Sequence, residues 1–467
     1  MATTTVSIGS NQSIDTETPA TSSGSGPSYT VTFGTTPTGI HIGDIGFMET
    51  QEAGGGAGSD YTFLVTGISG ANITLKYLTD TGGSGDASPL GLYDGSGSSS
   101  SPNQAAMVFK RAFSTITLFE AMIDDASPDY WGATDDVVGE LHADSNFTDA
   151  TVTFDSKQSL SSVTLSVYSD DRHDGTAESG ALWKPTANSG HNQGILRINI
   201  ENMTTEWLDI SLDSLDSRNT NKAIVLAGTN DDNIIRNNLI HDKGGNPGSY
   251  GPVIIQGLGA GSSGDNIYIL NNILYNFVES SNDSTSGIVF WSYQRTLYIY
   301  NNTIYKLTGQ GGNKDAIGIR FANQPSSVTY IKNNIVSTLS ANDDKRAYFK
   351  ENGSSTVHAS NNLSDTTTET AYNAEDMGGN LNDSTALTGQ SLADISFVST
   401  TGGSEDLHLD TDSVCLEAGA DLGTTNGVNI DIDGVDRDAT GVTWDIGADQ
   451  KSEAALTGNP AFLMFVD

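Results

Sequence analysis

The sequence predicts an all-β chain wound into a solenoid of stacked, like-directed coils, and three observations carry that prediction. A pair of asparagines recurs five times behind a short run in which apolar and polar residues alternate. Successive pairs are 34, 30, 32 and 28 residues apart, a spacing typical of one coil in a repeat protein. Each repeat also holds further short β-type runs, which Gly, Asn, Asp and Ser separate. The pairs begin at Asn237, Asn271, Asn301, Asn333 and Asn361.

The alternation within each repeat indicates which side chains face the interior. The residue two positions before each pair is apolar, and residues two apart point to the same side of a strand. These residues are Ile235, Ile269, Ile299, Ile331 and Ala359. We therefore expect an apolar core. We expect the asparagines named above to stack at one corner of successive coils, about 4.8 Å apart, as a ladder of amide hydrogen bonds.

A second β-type run lies before each pair and a third follows it, so each repeat predicts three strands. The second run is seen at residues 223–227 and 287–291, and the third at residues 239–240. On these motifs, residues 111–450 resemble the right-handed parallel β-helix, or pectin-lyase-like, superfamily. The resemblance implies a right-handed helix with three strands per coil. It leaves the activity open, because that superfamily includes polysaccharide lyases and hydrolases, phage tailspikes and structural surface proteins.

Composition divides the chain into four parts. Residues 1–30 are rich in Thr, Ser and Gly and form an N-terminal arm, which we expect to be disordered unless another protein chain holds it. Residues 31–110 predict a small β-barrel or sandwich that serves for docking. Residues 111–450 form the solenoid, and an amphipathic stretch at 113–124, with Ser114 as N-cap, predicts a helix that caps its first coil. Residues 451–467 form an apolar tail, which we expect to dock on the small β domain or on a neighbouring molecule.

The charge and the cysteine content exclude several kinds of partner and bond. Acidic residues outnumber basic ones by 58 to 21, a net charge of −37, so we expect neither nucleic acid nor a membrane as a partner. Cys415 is the only cysteine, so no disulfide can form within the chain. The first residues show no secretory signal peptide. Together with the resemblance, the missing signal favours a location on the surface of a virus particle.

Aromatic side chains recur at outward positions of the predicted strands, where polar ones are expected. Three explanations remain open: an interface between identical chains packed around a threefold axis, a platform on which sugar rings stack, or stacking within the chain beneath a long loop. The candidate interface or glycan-stacking residues are Tyr268, Tyr298, Tyr300, Tyr330, Tyr275, Tyr305 and Trp291.

Two groups of polar residues are candidates for chemistry. Cleavage of a polysaccharide needs two carboxylates in one groove, and Glu279, Asp283 and Asp315 are the most suggestive set in neighbouring coils. Asn429, Asp431 and Asp433 match the first half of a calcium loop, although Thr440 stands where a bidentate glutamate belongs. No cofactor other than calcium is expected.

Taken together, these observations favour a structural surface protein of a bacteriophage, either a capsid decoration or a spike or fibre. We expect a homo-oligomer, a trimer on the resemblance, whose N-terminal domain contacts other virion proteins and whose solenoid contacts host polysaccharide. One alternative is a tailspike depolymerase or lyase that acts on that polysaccharide. A second is a bacterial extracellular β-helix adhesin or filament protein.

Overall fold

Three parallel β-sheets make up most of the structure. The structure is a computed structural model, and it describes residues 2–451 except positions 18, 26–27, 50–59, 79–106, 125–129, 188–192, 214–221, 229–231, 244–252, 259–265, 279–283, 292–295, 310–313, 323–326, 352–355, 366–369, 373–384 and 441–442. The apolar tail predicted at 451–467 therefore lies outside the described residues apart from Lys451. Within the described part, no helix is long and apolar enough to cross a membrane.

The three parallel sheets form the sides of the solenoid, and we name them by their position relative to the asparagine pairs. Face 1 precedes the pairs and has nine strands: Thr3–Ile8, Asp136–Leu141, Ser162–Val167, Met203–Glu206, Asn233–Arg236, Asn266–Leu270, Thr296–Tyr300, Val328–Lys332 and Thr356–Ser360. Face 2 follows the pairs and has eight: Leu182–Trp183, Asp209–Ser211, Leu239–Lys243, Ile273–Val278, Thr303–Thr308, Ile335–Ser340, Leu363–Asp365 and Leu387–Gln390. Face 3 also has eight: Val152–Phe154, Leu196–Ile198, Lys222–Ala227, Val253–Leu258, Thr285–Trp291, Ala316–Ala322, Lys345–Lys350 and Thr370–Tyr372.

The register of face 1 places equivalent residues of the repeats side by side. Ile269 pairs with Ile235 on one side and with Ile299 on the other, and Ile299 pairs with Ile331. All four are fully buried in the main hydrophobic cluster. Because side chains alternate along a strand, one apolar position per strand is enough to build a continuous inner column. The predicted all-β solenoid with an apolar core is thereby confirmed.

The two asparagines of each pair have different roles at the corner between face 1 and face 2. The first adopts a left-handed conformation, with φ near +55° in every pair, which asparagine tolerates better than most residues. The second builds the ladder. The side-chain nitrogen of each second asparagine donates to the side-chain oxygen of the second asparagine one coil on. The same oxygen also accepts a hydrogen bond from the backbone N–H of the donating residue. The side-chain distances are 3.0, 2.9, 3.0 and 3.0 Å along Asn238, Asn272, Asn302, Asn334 and Asn362.

The ladder was expected at the first asparagine of each pair. The structure places the continuous ladder at the second, and it forms one link between first asparagines, from the side-chain nitrogen of Asn301 to the side-chain oxygen of Asn271 at 2.9 Å. The reason is geometric. The residue in the left-handed conformation makes the turn, and its side chain leaves the corner outward. The next residue points inward, where it lies between coils and is fully buried.

The N-terminal residues are ordered against the same chain. Thr3–Ile8 pairs in parallel with Asp136–Leu141 and forms the first strand of face 1, so the solenoid itself holds this part of the expected arm. Val6 and Ile8, two residues apart, are fully buried and give this strand an apolar side that fits the core, which its overall composition conceals. An antiparallel sheet follows, whose seven strands in spatial order are Asp15–Glu17, Met107–Lys110, Ile45–Glu49, Asp60–Ser69, Asn72–Leu78, Ser28–Phe33 and Pro19–Ser25.

Helix α1 (Ile116–Ile123) lies at the start of the solenoid and buries Ile116, Phe119 and Ile123. Its N-cap is Thr115, and the expected cap Ser114 lies one residue further out. Thr115 has the extended conformation that a cap requires, and its side chain accepts a hydrogen bond from the backbone N–H of Leu118 at 3.1 Å.

The C-terminal segment, residues 392–451, folds back over the outside of face 2. It contains helix α2 (Leu392–Ile395), a hairpin of Phe397–Thr401 and Ser404–Leu409, and 3₁₀ turns at Thr425–Gly427 and Arg437–Thr440. Outside this segment, a 3₁₀ turn lies at Ser169–Asp171. Its apolar residues form a second core with the outward side chains of face 2, such as Ile273 and Ile335. The outer surface of face 2 is therefore an internal interface of the chain.

Candidate interaction surfaces of the solenoid

An aromatic column runs along the outside of face 1. The rings of Tyr268 and Tyr298 are stacked 4.7 Å apart and inclined by 7°, and those of Tyr298 and Tyr330 are 5.2 Å apart at 8°. His358 continues the column at 5.0 Å from Tyr330. Parallel strands in register bring the same position of each repeat to the strand spacing, which is close to the distance at which rings stack. The tyrosines are half-buried and His358 is exposed.

The stacking limits what this column can bind. Tyr298 and Tyr330 each have a ring on both sides, so neither ring has a free face. What they present to solvent is a row of ring edges. A sugar ring that stacks on an aromatic residue needs a free face, whereas another protein surface can pack against edges and hydroxyl groups. The geometry favours the interface explanation over the sugar platform at these positions.

Tyr300 lies beside this column and contacts the C-terminal segment. Its ring meets that of Tyr298 edge-on at 5.9 Å, and it packs against a buried cluster that includes Val428 and Trp444. Burial and the neighbouring tyrosines raise the pKa of the Tyr300 hydroxyl well above its usual value. Tyr300 therefore forms the boundary between the exposed column and the covered part of the corner.

Tyr275 and Tyr305 lie on face 2 and are covered by their own chain. They are only 2% and 4% exposed and belong to the core beneath the C-terminal segment. The ring of Tyr305 meets that of Phe397 edge-on at 5.8 Å. Of the three explanations left open by the sequence, the structure supports stacking within the chain for these two residues.

Trp291 is on face 3, apart from the tyrosines. The guanidinium of Arg320, one coil on, lies 4.6 Å from the centre of its ring. Arg320 also forms an ion pair with Glu351 at 2.5 Å. The half-buried indole face is thus used in a cation–π contact with the next coil.

Of the three candidate catalytic carboxylates, only Asp315 is among the described residues. Glu279 and Asp283 fall within 279–283, outside them. Asp315 precedes the face 3 strand Ala316–Ala322, and one of its side-chain oxygens accepts from the backbone N–H of Asp344 at 3.3 Å. Burial raises the pKa of this carboxyl, an effect that Arg346 opposes. The grouping of the three carboxylates stays a prediction.

The three residues of the expected calcium loop use their side chains in separate hydrogen bonds. Both carboxylate oxygens of Asp431 accept backbone N–H groups, from Asp433 and Val435 at 3.0 and 2.7 Å and from Gln450 at 3.0 Å. The amide of Asn429 donates to Asp436 at 2.8 Å, and an oxygen of Asp433 pairs with Nε2 of His408 at 3.0 Å. A cation here would have to replace these bonds. Calcium binding at this loop stays a prediction.

The role of the first asparagines was not predicted from the sequence. Their side chains donate outward to backbone carbonyls of the C-terminal segment: Asn237 to Ile430 at 3.0 Å, Asn271 to Ile430 at 2.7 Å, Asn301 to Val428 at 3.1 Å, Asn333 to Ala420 at 2.8 Å and Asn361 to Ala418 at 2.9 Å. This row of amides fastens residues 418–430 along the corner of the helix. A repeated amide at an outward position is the signal that could have revealed it.

Comparison with known proteins finds similarity at the level of structure. No protein-family model matches the chain, and no curated protein matches it. Among solved structures, the chain is similar to the tailspike protein gp49 from Pseudomonas phage LKA1, with 12% sequence identity and a TM-score of 0.15. The similarity covers 79% of this chain and 65% of the tailspike, so the chain spans less than two thirds of that protein's length. It assigns no residue and no activity to this chain.

Proposed function

We propose that the protein is a structural surface protein of a bacteriophage particle that associates with copies of itself, as a trimer, along face 1. Its solenoid is a right-handed parallel β-helix with three strands per coil, which α1 caps, and the antiparallel N-terminal sheet attaches it to other virion proteins. The observation that carries the proposal is the column of Tyr268, Tyr298 and Tyr330. It is left partly open to solvent, while the tyrosines of face 2 are covered by the same chain.

The dimensions of face 1 suit a contact of this kind. Nine strands at the usual spacing extend over about 38 Å, and a strand of five residues is about 16 Å long, so the face offers about 600 Å². A stable complex buries about 800 Å² per partner. We therefore expect the contact to include the adjoining C-terminal segment, where Leu422 packs against the same buried cluster as Tyr300.

The chemistry of the column is also that of an interface. Tyrosine is enriched where proteins meet, since its ring buries a large apolar area and its hydroxyl satisfies polar neighbours. The chain carries a net charge of −37, so identical molecules repel each other. Their association therefore requires a part of the surface that carries no charge. The tyrosine column provides it.

The test is the mass of the purified protein in solution, measured by light scattering after size-exclusion chromatography. We expect a trimer for the unaltered chain and a monomer for the double variant Tyr298→Asp and Tyr330→Asp, because the variant puts carboxylates against each other in the contact. The matched control is Ile68→Asp, which changes an exposed apolar residue of the N-terminal sheet and should leave the trimer intact. A monomeric unaltered protein, or a double variant that remains trimeric, would refute the proposal.

A further inference from the structure

A cluster of polar and aromatic side chains lies where the N-terminal sheet meets the solenoid. The sheet contributes His41 and Asp44, and Arg111 comes from the segment that joins the two parts. The solenoid contributes four residues from its first coils, namely His142, Asp144, Tyr168 and Asp171. Asp44, Arg111 and His142 are at most 5% exposed. None of these residues belongs to the tyrosine column of face 1 or to the expected calcium loop.

His142 is the buried centre of this cluster. Its ring packs against those of His41 and Tyr168, with ring centroids 4.8 and 4.9 Å away. Nδ1 lies 3.2 Å from a carboxylate oxygen of Asp171, and because a carboxylate can only accept a hydrogen bond, Nδ1 carries the proton. Nε2 is left with its lone pair, and it is a buried atom that has no hydrogen-bond partner among the described residues. A second proton on this imidazole would therefore create a buried N–H that nothing accepts.

His41 is in a similar position on the other side of the joint. Its Nδ1 lies 2.9 Å from Nη1 of Arg111. A guanidinium has donors and no acceptor, so Arg111 donates this bond and Nδ1 of His41 is unprotonated. A proton on that nitrogen would set two donors against each other and would add a second positive charge beside the guanidinium. The geometry therefore requires both imidazoles to be neutral while the sheet is docked on the solenoid.

The buried carboxylates around the two imidazoles are already bound to Arg111. Nε and Nη2 of the guanidinium donate to Asp144 at 2.9 and 3.0 Å, and Nη1 lies 3.1 Å from both oxygens of Asp44. Asp44 also accepts the backbone N–H of His41 at 2.7 Å. Burial and the charge of Arg111 lower the pKa of His142 to about 3, and they lower the pKa of His41 in the same way.

We propose that the joint between the N-terminal sheet and the solenoid opens in acid, driven by a proton on His142 with His41 as a second site. In the open joint, water reaches both imidazoles, while the sheet and the solenoid keep their own strands paired. One backbone contact that crosses the joint is the bond from the N–H of Ser7, on the first strand of face 1, to the carbonyl of Gly43 at 3.1 Å. That bond breaks when the joint opens. The proposal does not depend on the trimer.

The size of the effect follows from the difference between the closed and the open joint. An imidazole in water has a pKa of about 6.5, so the open form binds the proton more tightly than the closed form. The closed joint is therefore fully stable above pH 6.5, and its opening equilibrium constant rises about tenfold for each pH unit from there down to about 3. Between pH 7.5 and pH 5.0 this constant should rise about 30-fold through His142 alone. Asp44, whose pKa burial raises, opposes the change as it takes up its own proton, and Asp144, whose pKa is lowered against burial by the bonds from Arg111, adds to it.

The test is hydrogen–deuterium exchange of the full-length protein at pH 7.5 and pH 5.0, read at single backbone N–H groups as protection factors, which remove the intrinsic effect of pH on exchange. We expect the protection of the Ser7 N–H to fall about 30-fold at pH 5.0. The N–H of Asn302, which donates to the side chain of Asn334 at 3.0 Å inside the solenoid, is the internal control and should keep its protection. Equal protection of Ser7 at both pH values would overturn the proposal, and so would an equal loss at Asn302, which would indicate general unfolding in acid.

Variants identify the responsible group. His142→Phe keeps a ring against Tyr168 but cannot take up a proton, so it should reduce the change at Ser7 to less than about fivefold. His142→Gln, a smaller neutral side chain, should do the same and serves if phenylalanine is not tolerated. The matched control His358→Phe alters an exposed histidine at the end of the tyrosine column and should leave the full change intact. A full change in both His142 variants would overturn the role of this imidazole and the proposal with it.

Discussion

Asn302 in the middle of the ladder is the residue whose replacement tests the energetics of the solenoid. It is fully buried, and its side chain has five polar partner atoms within hydrogen-bonding distance. The oxygen accepts from the backbone and side-chain nitrogens of Asn272 at 3.1 and 2.9 Å. The two N–H groups of the amide share three acceptors, the carbonyls of Ile269 and Tyr300 at 2.9 and 3.0 Å and the side-chain oxygen of Asn334 at 3.0 Å.

We expect Asn302→Ala to lower the free energy of unfolding by about 3–5 kcal/mol, because it orphans the buried N–H of Asn272 at 1–3 kcal/mol and removes two or three further bonds at about 1 kcal/mol each. Asn302 is suited to this test because it lacks the positive φ of Asn301, so alanine adds no backbone strain. In the variant the side-chain nitrogen of Asn272 still donates to the carbonyl of Ile235 at 3.0 Å, so this nitrogen loses one partner and keeps another.

The assay is equilibrium unfolding in guanidinium chloride, followed by circular dichroism. The matched control is Asn266→Ala, which removes a face 1 amide whose hydrogen bond to Asp232 is exposed. This variant should lower the free energy of unfolding by less than about 0.5 kcal/mol. At pH 7 Asn302→Asp should lower the free energy of unfolding more than Asn302→Ala does, since a carboxylate would face three acceptor oxygens. In acid the protonated side chain should restore part of that free energy. Equal stability of Asn302→Ala and Asn266→Ala would refute the role assigned to the ladder.

Three further predictions concern titratable groups. The pKa of His241 is about 9 in the folded protein and 6.5 in the unfolded chain, so the stability that the charged imidazole contributes is complete below pH 6.5 and is lost as the pH rises to 9. Over that range the free energy of unfolding of the unaltered protein, compared with that of His241→Gln, should fall by about 3 kcal/mol. Urea unfolding at a series of pH values measures it. Burial and the neighbouring Asp124 raise the pKa of Glu120 to about 7, so its charged form weakens the fold, and Glu120→Gln should raise the melting temperature at pH 8 but not at pH 5. If calcium occupies the loop of Asn429, Asp431 and Asp433, a chelator should lower the melting temperature by several degrees; an unchanged melting temperature would show that the backbone N–H groups that Asp431 accepts hold the loop without an ion.

Much of the solenoid follows from the sequence because its signal is local. One apolar position before each asparagine pair fixes the inward side of face 1, and the repeat fixes which strands become neighbours. Which asparagine of each pair forms the ladder cannot be predicted from such a local signal. It depends on which residue takes the left-handed conformation at the corner, and both residues of the pair are chemically able to do so.

The candidate interaction residues were harder to predict, because their burial is decided by contacts distant in sequence. Tyr268 and Tyr275 both occupy outward positions, on either side of the asparagine pair of a single repeat. What separates them is the C-terminal segment, more than 100 residues further on, which covers face 2 and leaves the column of face 1 partly open. Likewise Thr3–Ile8 has the composition of a flexible arm, and only its partner Asp136–Leu141 makes it a strand.

One asparagine from each of five coils joins a single internal column, and an experimental structure at a resolution that defines side-chain amides would reveal that column. We predict four successive side-chain contacts of about 3 Å from Asn238 to Asn362, in a straight row parallel to the direction in which the coils stack. Amides that point to solvent, or strands that place these five residues out of register with one another, would contradict it.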